Sequence, residues 1–257
     1  MAHENILTSL EDGVFTLCIS RAEKKNALTV AMYQAMVEAL QEADADKKAR
    51  CIVITGEGEM FTSGNDLMDF MNSPAAGPDS PVFQFLLTLV GLKTPLIAAV
   101  NGAGIGIGCT MLLHCDLVYA VENATLKLPF VPLGLCLEGG SSWLFPRMMG
   151  IQKASEFLFF GEKISVEEME KFGLVNRVLP KEDFAEFVKE RAQKLASLPA
   201  ASLRVTKQLM RSEMDEDIRR ILLSEGAEFA QLLPGDEAKE AFTAFFEKRA
   251  PDFKQFD

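Results

Sequence analysis

The sequence predicts an α/β protein, because buried strands and amphipathic helices alternate along it. Two apolar runs, 51–56 and 95–100, have the length and composition of buried strands. Each run leads into a glycine-containing turn that is followed by a predicted helix start. The chain has 257 residues, 48% of them hydrophobic and 25% charged, so it can bury a full core.

The N-terminal part is predicted to contain two strands, a basic loop and a helix. Residues 6–20 form the two strands, with a glycine turn between them. The loop 21–28 has three cations within five positions, and Thr29 is a suitable N-cap for a helix over 30–45. In an acidic chain, this loop is either a solvated turn or a binding site for an anion.

After residue 70, the elements predicted outside the stretch 94–150 are mainly helical. The segment 72–81 has three prolines and is predicted to be a mobile loop. Helices are predicted over 81–92, 152–160, 165–173, 180–197, 203–213, 216–232 and 237–248, with a short strand over 174–179. Leu198-Pro199 marks a boundary that divides the chain into 1–198 and 199–257.

The stretch 94–150 is where the sequence predicts a binding site. It has glycines at 102, 104, 106 and 108, which let backbone approach a ligand closely. The apolar segment 109–113 then starts a helix, whose N-terminal N–H groups stabilise a negatively charged oxygen. A membrane span over 95–113 is rejected because Pro95, Asn101 and four glycines would break it. A nucleotide loop is rejected because G-x-G-x-x-G fails from every starting glycine.

Charge and composition exclude several classes of function. The net charge of -11 disfavours nucleic acid and anionic membrane surfaces as partners. The five cysteines match no zinc spacing, and an odd number of buried thiols suits a reducing compartment. The two histidines, His3 and His114, provide little material for a metal site, so no metal is expected. No targeting signal is recognisable, and we expect a cytoplasmic protein.

Five segments in order resemble the crotonase superfamily, the acyl-CoA hydratases and isomerases, over essentially the whole chain. They are SRAEKKNAL at 20–28, FTSGNDL at 61–67, IAAVNG at 97–102, CDL at 115–117 and FTAFFEKR at 242–249. The resemblance implies the crotonase (ClpP-like) fold, a spiral of ββα repeats. It implies a crotonase core over 1–198 and a helical oligomerisation region over 199–257, in a homotrimer or a dimer of trimers.

The resemblance also implies an oxyanion hole. Two backbone N–H groups from separate strand-to-helix turns would hold the thioester oxygen of an acyl-CoA, and by position these belong to Asn65 and Ile107. Such donors are each worth about 3–4 kcal/mol in acyl-transfer enzymes. The alternative for the glycines around Ile107 is a tight packing turn.

The carboxylates depart from the hydratase pattern. Hydratases have glutamates where this chain has Thr110 and Phe130, so hydration should be weak or absent. Glu138 instead stands in a segment similar to the peroxisomal-type 3,2-trans-enoyl-CoA isomerases, in which this glutamate is the base. An isolated glutamate is most often a surface residue, but its apolar neighbours would raise its pKa by burial.

The expected reaction is therefore isomerisation of a 3-enoyl-CoA to the trans-2-enoyl-CoA, with no cofactor beyond the CoA of the substrate. The resemblance assigns substrate or CoA binding to Ala22, Lys24, Ala27, Ser63, Asn65, Asp66, Leu67, Gly106, Phe130, Phe245 and Lys248. The acyl pocket is expected from Met68, Met71, Phe83, Phe85, Phe130 and Trp143. Alternatives are another crotonase-type reaction, such as hydration or thioester hydrolysis, and a non-catalytic acyl-CoA-binding subunit.

Overall fold

The computed structural model describes residues 3–72, 77 and 79–256. Its strands are β1 (Ile6–Glu11), β2 (Val14–Ile19), β3 (Cys51–Gly56), β4 (Met60–Thr62), β5 (Leu96–Val100), β6 (Ala103–Ile105), β7 (Leu117–Val121), β8 (Thr125–Lys127), β9 (Ile164–Ser165) and β10 (Arg177–Leu179). Its α-helices are α1 (Val30–Ala45), α2 (Leu67–Asn72), α3 (Pro81–Gly91), α4 (Ile107–Thr110), α5 (Ser141–Met149), α6 (Ile151–Phe160), α7 (Val166–Lys171), α8 (Lys181–Ser197), α9 (Ala200–Leu232) and α10 (Asp236–Glu247).

The strands form two sheets, and the same connection from one sheet to the other recurs along the chain. The larger sheet has the order β1-β2-β3-β5-β7-β10, and the smaller has the order β4-β6-β8-β9. Three times, a strand of the larger sheet leads into a strand of the smaller one and then into a helical segment. The predicted ββα repeat is therefore present. Because β4 and β6 pair in parallel, the turns that follow them lie side by side.

The N-terminal elements form where the sequence predicts them. Helix α1 has the predicted bounds, and the Thr29 hydroxyl accepts a hydrogen bond from the Met32 N–H at 3.2 Å. The central strands β3 and β5 pair with strands on both sides and are almost fully buried. Such strands read as continuous apolar runs, which is why they were recognisable.

The C-terminal helices differ from the prediction. The two helices expected over 203–213 and 216–232 are one helix, α9, of 33 residues. No glycine or proline interrupts residues 213–216, and two ion pairs fix the N-terminal half of α9. In them, Lys207 and Arg211 lie 2.6 and 3.0 Å from the carboxylate of Asp116, which precedes β7. The polar residues at 213–216 mark an exposed face and not a helix end.

Other predictions are corrected or fall outside the described residues. The strand predicted over 174–179 is the three-residue β10, and α5, with Pro146 inside it, was not predicted. The rejected membrane span is divided among β5, β6 and α4, and no helix among the described residues could cross a bilayer. Half of the loop predicted to be mobile, residues 73–76 and 78, lies outside the described part of the chain.

Candidate active site

Two glycine-containing turns, one after β4 and one after β6, pack directly against each other. Gly64 has a φ of 86°, and a Cβ there would lie 2.7 Å from the carbonyl oxygen of Ile105. A Cβ on Gly108 would lie 2.5 Å from the Thr62 methyl group. A side chain at either position would push the turns apart, so the glycines permit this close approach.

The backbone N–H groups of Asn65 and Ile107 are available at these turns. Leu28 bridges Asn65, and the bridge uses the carbonyl of Gly64 and the N–H of Asp66, both at 2.8 Å. The Asn65 N–H faces away from that bridge, and the Ile107 N–H, as the first of α4, has no acceptor within the helix. In the part of the chain that the structure describes, neither group has an acceptor, and both residues line one cavity.

Tyr33 supports the first of these turns and was not predicted as a site residue. Its hydroxyl donates a hydrogen bond to the Asn65 side-chain oxygen at 2.5 Å. The ring is buried and packs against Phe85, with 5.5 Å between ring centroids. Burial, and then the charge of Glu138, raise the pKa of Tyr33, so its hydroxyl keeps the proton that it donates. The sequence signal that could have identified Tyr33 was a tyrosine on the apolar face of α1.

The cavity has a volume of about 780 Å³ and a mostly apolar wall. Of the acyl-pocket residues expected from the sequence, Met68, Phe83 and Phe130 line it. Phe85 does not, because it lies fully buried against Tyr33, and Trp143 is outside the wall, where the Arg147 guanidinium stacks on its ring at 3.8 Å. The side chain of Met71 is outside the described residues.

Glu138 lies in the wall of this cavity. The Thr110 hydroxyl donates a hydrogen bond to its Oε1 at 2.6 Å. Burial, opposed by the Thr110 hydrogen bond and assisted by the charge of Glu225, raises the pKa of Glu138 to about 8. Among the described lining residues the acidic side chains are Asp66 and Glu138, and no cation forms an ion pair with Glu138. Glu138 is therefore a carboxyl group suited to accept a proton near neutral pH.

The turn that carries Glu138 is ordered by contacts on its C-terminal side. Gly139 and Gly140 both have left-handed backbone, with φ of 70° and 75°. The Ser141 hydroxyl donates to the Glu138 carbonyl at 2.6 Å, and the His114 Nε2 lies 2.8 Å from the Gly139 carbonyl. Burial lowers the pKa of His114 to about 4, so its Nε2 donates as part of a neutral ring.

Asp66 has a different environment, at the turn after β4. Arg21 approaches its carboxylate to 2.8 Å and also donates to the Ala27 carbonyl at 3.1 Å. Burial raises the pKa of Asp66, but the Arg21 contact and the N–H groups of Met68 and Asp69 outweigh it and lower the pKa. The ion pair ties the loop 21–28 to the Asn65 turn.

The same loop is also fixed by a residue that the sequence did not single out. The buried Asn26 side chain donates to the carbonyls of Glu57 and Met60, at 2.9 and 2.7 Å. The backbone carbonyl of Asn26 accepts a hydrogen bond from the Thr62 hydroxyl at 2.7 Å. These contacts place the basic loop at the edge of the cavity.

Most of the positions predicted to bind substrate or CoA meet at the cavity wall. They are Lys24, Ala27, Ser63, Asn65, Asp66, Leu67, Gly106, Phe130 and Phe245. Ala22 and Lys248 are exposed and lie outside that wall, so their contact with CoA stays a prediction.

Three further lysines, Lys25, Lys127 and Lys163, line the wall and were not predicted. Lys127 and Lys163 are distant in sequence and come together because β8 pairs with β9, which no local pattern shows.

The described residues contain no cluster of three or more His, Cys, Asp or Glu side chains that could hold a metal ion. The five cysteines are free thiols, and burial raises the pKa of Cys51 to about 12. None of the five lines the cavity wall. The charged side chains among the described lining residues are four lysines and two carboxyl groups.

Comparison with known proteins finds one family over almost the whole chain. A family model described as enoyl-CoA hydratase/isomerase matches residues 9–256. The rat protein named enoyl-CoA delta isomerase 2 is 38% identical over 224 residues, which cover 85% of this chain. This chain spans 57% of the length of that rat protein.

Two further matches cover almost all of both chains. The Escherichia coli 2,3-dehydroadipyl-CoA hydratase is 32% identical, over 97% of this chain and 98% of its own. The crystal structure of an enoyl-CoA hydratase/isomerase from Pseudoalteromonas atlantica is 38% identical, with a TM-score of 0.92 over 97% of this chain and 100% of that one. The chain belongs to the enoyl-CoA hydratase/isomerase family of the crotonase superfamily and has the crotonase fold.

Proposed function

We propose that the protein isomerises cis or trans 3-enoyl-CoA to trans-2-enoyl-CoA, with Glu138 as the single base. The observation that carries this proposal is the state of that carboxyl group. Glu138 lies in the cavity wall with the Asn65 and Ile107 turns, has a raised pKa, and has no cationic partner among the residues that the structure describes. A rat relative named as a delta isomerase also supports it.

The proposed reaction moves one proton and one double bond. The Glu138 carboxylate removes a proton from C2 of the substrate, and the electrons of that C–H bond delocalise over the thioester and the C3–C4 double bond. The negative charge on the thioester oxygen is stabilised by the N–H groups of Asn65 and Ile107. The protonated Glu138 then returns the proton to C4, so that the double bond lies between C2 and C3. No other reactant is consumed.

The surroundings of Glu138 support isomerisation over hydration. Hydration needs one group to activate water and another to protonate carbon. Thr110 stands where a hydratase has one of its two carboxylates. Its hydroxyl donates a hydrogen bond to Glu138, so Thr110 acts as a hydrogen-bond donor and not as a base. Phe130, at the other position, packs edge-on against the Phe229 ring with 6.1 Å between centroids. The alternatives are thioesterase activity and hydratase activity, and the E. coli relative is named a hydratase.

The lysines of the wall give the anionic CoA a place to bind. The protein carries a net charge of -11, so long-range attraction does not favour a polyanion. Lys24, Lys25, Lys127 and Lys163 nevertheless all line the cavity. We propose that they meet the phosphates of CoA, with Ala22, Phe245 and Lys248 completing the CoA contacts.

A homotrimer, or a dimer of trimers, is part of the same proposal, as are a cytoplasmic location and a role in oxidation of unsaturated fatty acids. Large apolar side chains are exposed on α6 and α9, which favours burial against other copies. They are Ile151, Phe159, Phe160, Val205, Leu209, Met210 and Met214.

The test is a paired assay with 3-hexenoyl-CoA and crotonyl-CoA, following the conjugated enoyl thioester in each. We expect conjugation to appear with 3-hexenoyl-CoA and to persist with crotonyl-CoA. Rapid loss of conjugation from crotonyl-CoA would indicate a hydratase and contradict the interpretation of Thr110 and Phe130. No reaction with either, together with tight binding of the CoA esters, would favour a non-catalytic acyl-CoA-binding subunit.

A further inference from the structure

Helix α9 contributes a buried carboxyl group to the turn that carries Glu138. Glu225 is 7% exposed, and its two carboxyl oxygens accept hydrogen bonds from the N–H groups of Gly140 and Ser142, at 2.6 and 2.9 Å. Acceptance on both oxygens is the pattern of an ionised carboxylate. These N–H groups stand at the beginning of α5, where they have no acceptor within the helix.

The contact acts on Glu138 through the backbone. Gly139 and Gly140, the two residues after Glu138, both have left-handed backbone, and neither has a side chain that could hold the turn in place. Ser141 and His114 hold its carbonyl oxygens, and Glu225 holds its N–H groups. Glu225 is therefore the contact that fixes this turn to α9, 85 residues further along the chain.

We propose that Glu225 is a positioning residue for Glu138: it holds the turn 138–142 against α9, and its negative charge makes Glu138 a stronger base. The inference rests on the proposed function and names a second residue on which that function depends. A residue that merely caps α5 would contribute to stability alone, whereas this role also changes the proton affinity of Glu138.

The other titratable groups around Glu138 leave this effect visible between pH 5 and pH 9. Tyr33 on α1 and Cys109 on α4 have pKa values raised by burial, and burial raises the pKa of Cys136 to about 11. Burial lowers the pKa of His114, after α4, to about 4. On α9, Glu228 is exposed and one turn from Glu225. Burial raises the pKa of Glu225 itself, and the hydrogen bonds from Ser142 and Gly140 oppose that rise.

The first experiment is the pH profile of kcat and kcat/KM with 3-hexenoyl-CoA for wild type, Glu225→Gln and Glu225→Asp. Glu225→Gln removes the charge and should lower the midpoint of the acidic limb by at least about 0.5 pH unit, with a lower plateau of kcat. Glu225→Asp keeps the charge on a shorter side chain, so kcat should fall while the acidic limb stays near that of wild type. Glu228→Gln is the matched control, with the same charge change on an exposed site of α9, and should match wild type.

A Glu225→Gln profile with the midpoint and plateau of wild type would overturn the proposal, and so would a lower melting temperature with an unchanged profile. A second measurement needs no substrate: urea unfolding of Glu138→Gln, Glu225→Gln and the double variant at pH 5 and pH 9. We expect the two substitutions to be non-additive at pH 9, above the pKa of about 8 of Glu138, and closer to additive at pH 5, where Glu138 is protonated. Additivity at both values would overturn the coupling between the charges, whether or not the isomerase activity is found. An inactive wild type with preserved coupling would reject the proposed function alone.

Discussion

Two carboxyl groups lie in one cavity wall, and their surroundings give them opposite properties. Asp66 is paired with Arg21 at 2.8 Å and accepts hydrogen bonds from backbone N–H groups, and its pKa is lowered. Glu138 faces a hydroxyl group and is near a second carboxyl, on Glu225, and burial raises its pKa to about 8. The difference comes from the partners of each group and not from its chemistry.

The two carboxyl groups are therefore suited to different roles, Asp66 to holding segments together and Glu138 to accepting a proton. A carboxylate that already has a cation is a poor proton acceptor, and its value lies in holding two segments together. A carboxyl group without a cation, in an apolar wall, has the proton affinity of a base that works near neutral pH. Asp66 thus fastens the basic loop to the Asn65 turn, and we propose Glu138 as the base.

The largest expected effect is on turnover, and its absence would contradict the contrast between Glu138 and Asp66. Glu138→Gln keeps the size of the side chain and an acceptor for Thr110 but cannot take up a proton. We expect kcat with 3-hexenoyl-CoA to fall by about 10²–10⁴, the usual contribution of a general base. Asp66→Asn, the matched amide substitution in the same wall, should retain kcat within about tenfold. Equal losses for both variants would contradict the division of roles.

The residues that define the site differ in how far the sequence predicted them. Asn65, Ile107 and Glu138 were predicted from motifs, and all three line one cavity. The donors are backbone groups, so their side chains carry little information, and the turn glycines were the usable signal. Glu138 was predicted because its segment resembles that of the peroxisomal-type isomerases, and its apolar neighbours favoured a functional role over a surface position.

The contacts that tune the site could not be predicted, since they join distant parts of the chain. Tyr33 lies 32 residues from Asn65, and Glu225 lies 85 residues from Gly140. The sequence predicted a separate oligomerisation region for the C-terminal helices, but α9 supplies Glu225 to the turn that carries Glu138. That contact depends on α9 being one continuous helix, which the polar residues at its centre concealed.

The second prediction concerns stability, where the two carboxyl groups should show opposite signs. The pKa of Glu138 is raised in the folded protein, so the stability it contributes is fully present below about pH 4.5 and is lost as pH rises toward 8. Glu138→Gln should therefore be more stable than wild type at pH 9, on the order of 2 kcal/mol, and close to it at pH 5. The pKa of Asp66 is lowered, so its contribution is present at neutral pH and is lost in acid. Asp66→Asn should be less stable than wild type at pH 7.

Urea unfolding at pH 5, 7 and 9 measures both effects on the same proteins. A Glu138→Gln variant that loses stability at pH 9 would show that the carboxylate is well solvated or paired in the folded protein. The proposed base would then lack the environment that raises its proton affinity.

The smallest expected effect is on substrate affinity, and it sharpens the role of Asp66. Arg21 bonds both to Asp66 and to the Ala27 carbonyl, and the same loop carries Lys24 into the cavity wall. Breaking the ion pair should loosen that loop and raise the KM for 3-hexenoyl-CoA by roughly threefold to fivefold, since partly exposed pairs contribute about 1 kcal/mol or less. Both Arg21→Gln and Asp66→Asn remove the ion pair, and Arg21→Gln also removes the bond to Ala27, so the double variant should have the KM of Arg21→Gln alone.

An exposed ion pair elsewhere on the molecule provides the control for this last prediction. Lys181 and Glu59 lie 3.0 Å apart, and both side chains are largely exposed. Glu59→Gln removes a carboxylate from an ion pair in the same way, outside the cavity wall, and should leave KM and kcat at wild-type values. If Arg21→Gln and Asp66→Asn raised KM independently and additively, each would act on the substrate by itself. Asp66 would then belong to the binding surface, and its pairing with Arg21 would not explain the contrast with Glu138.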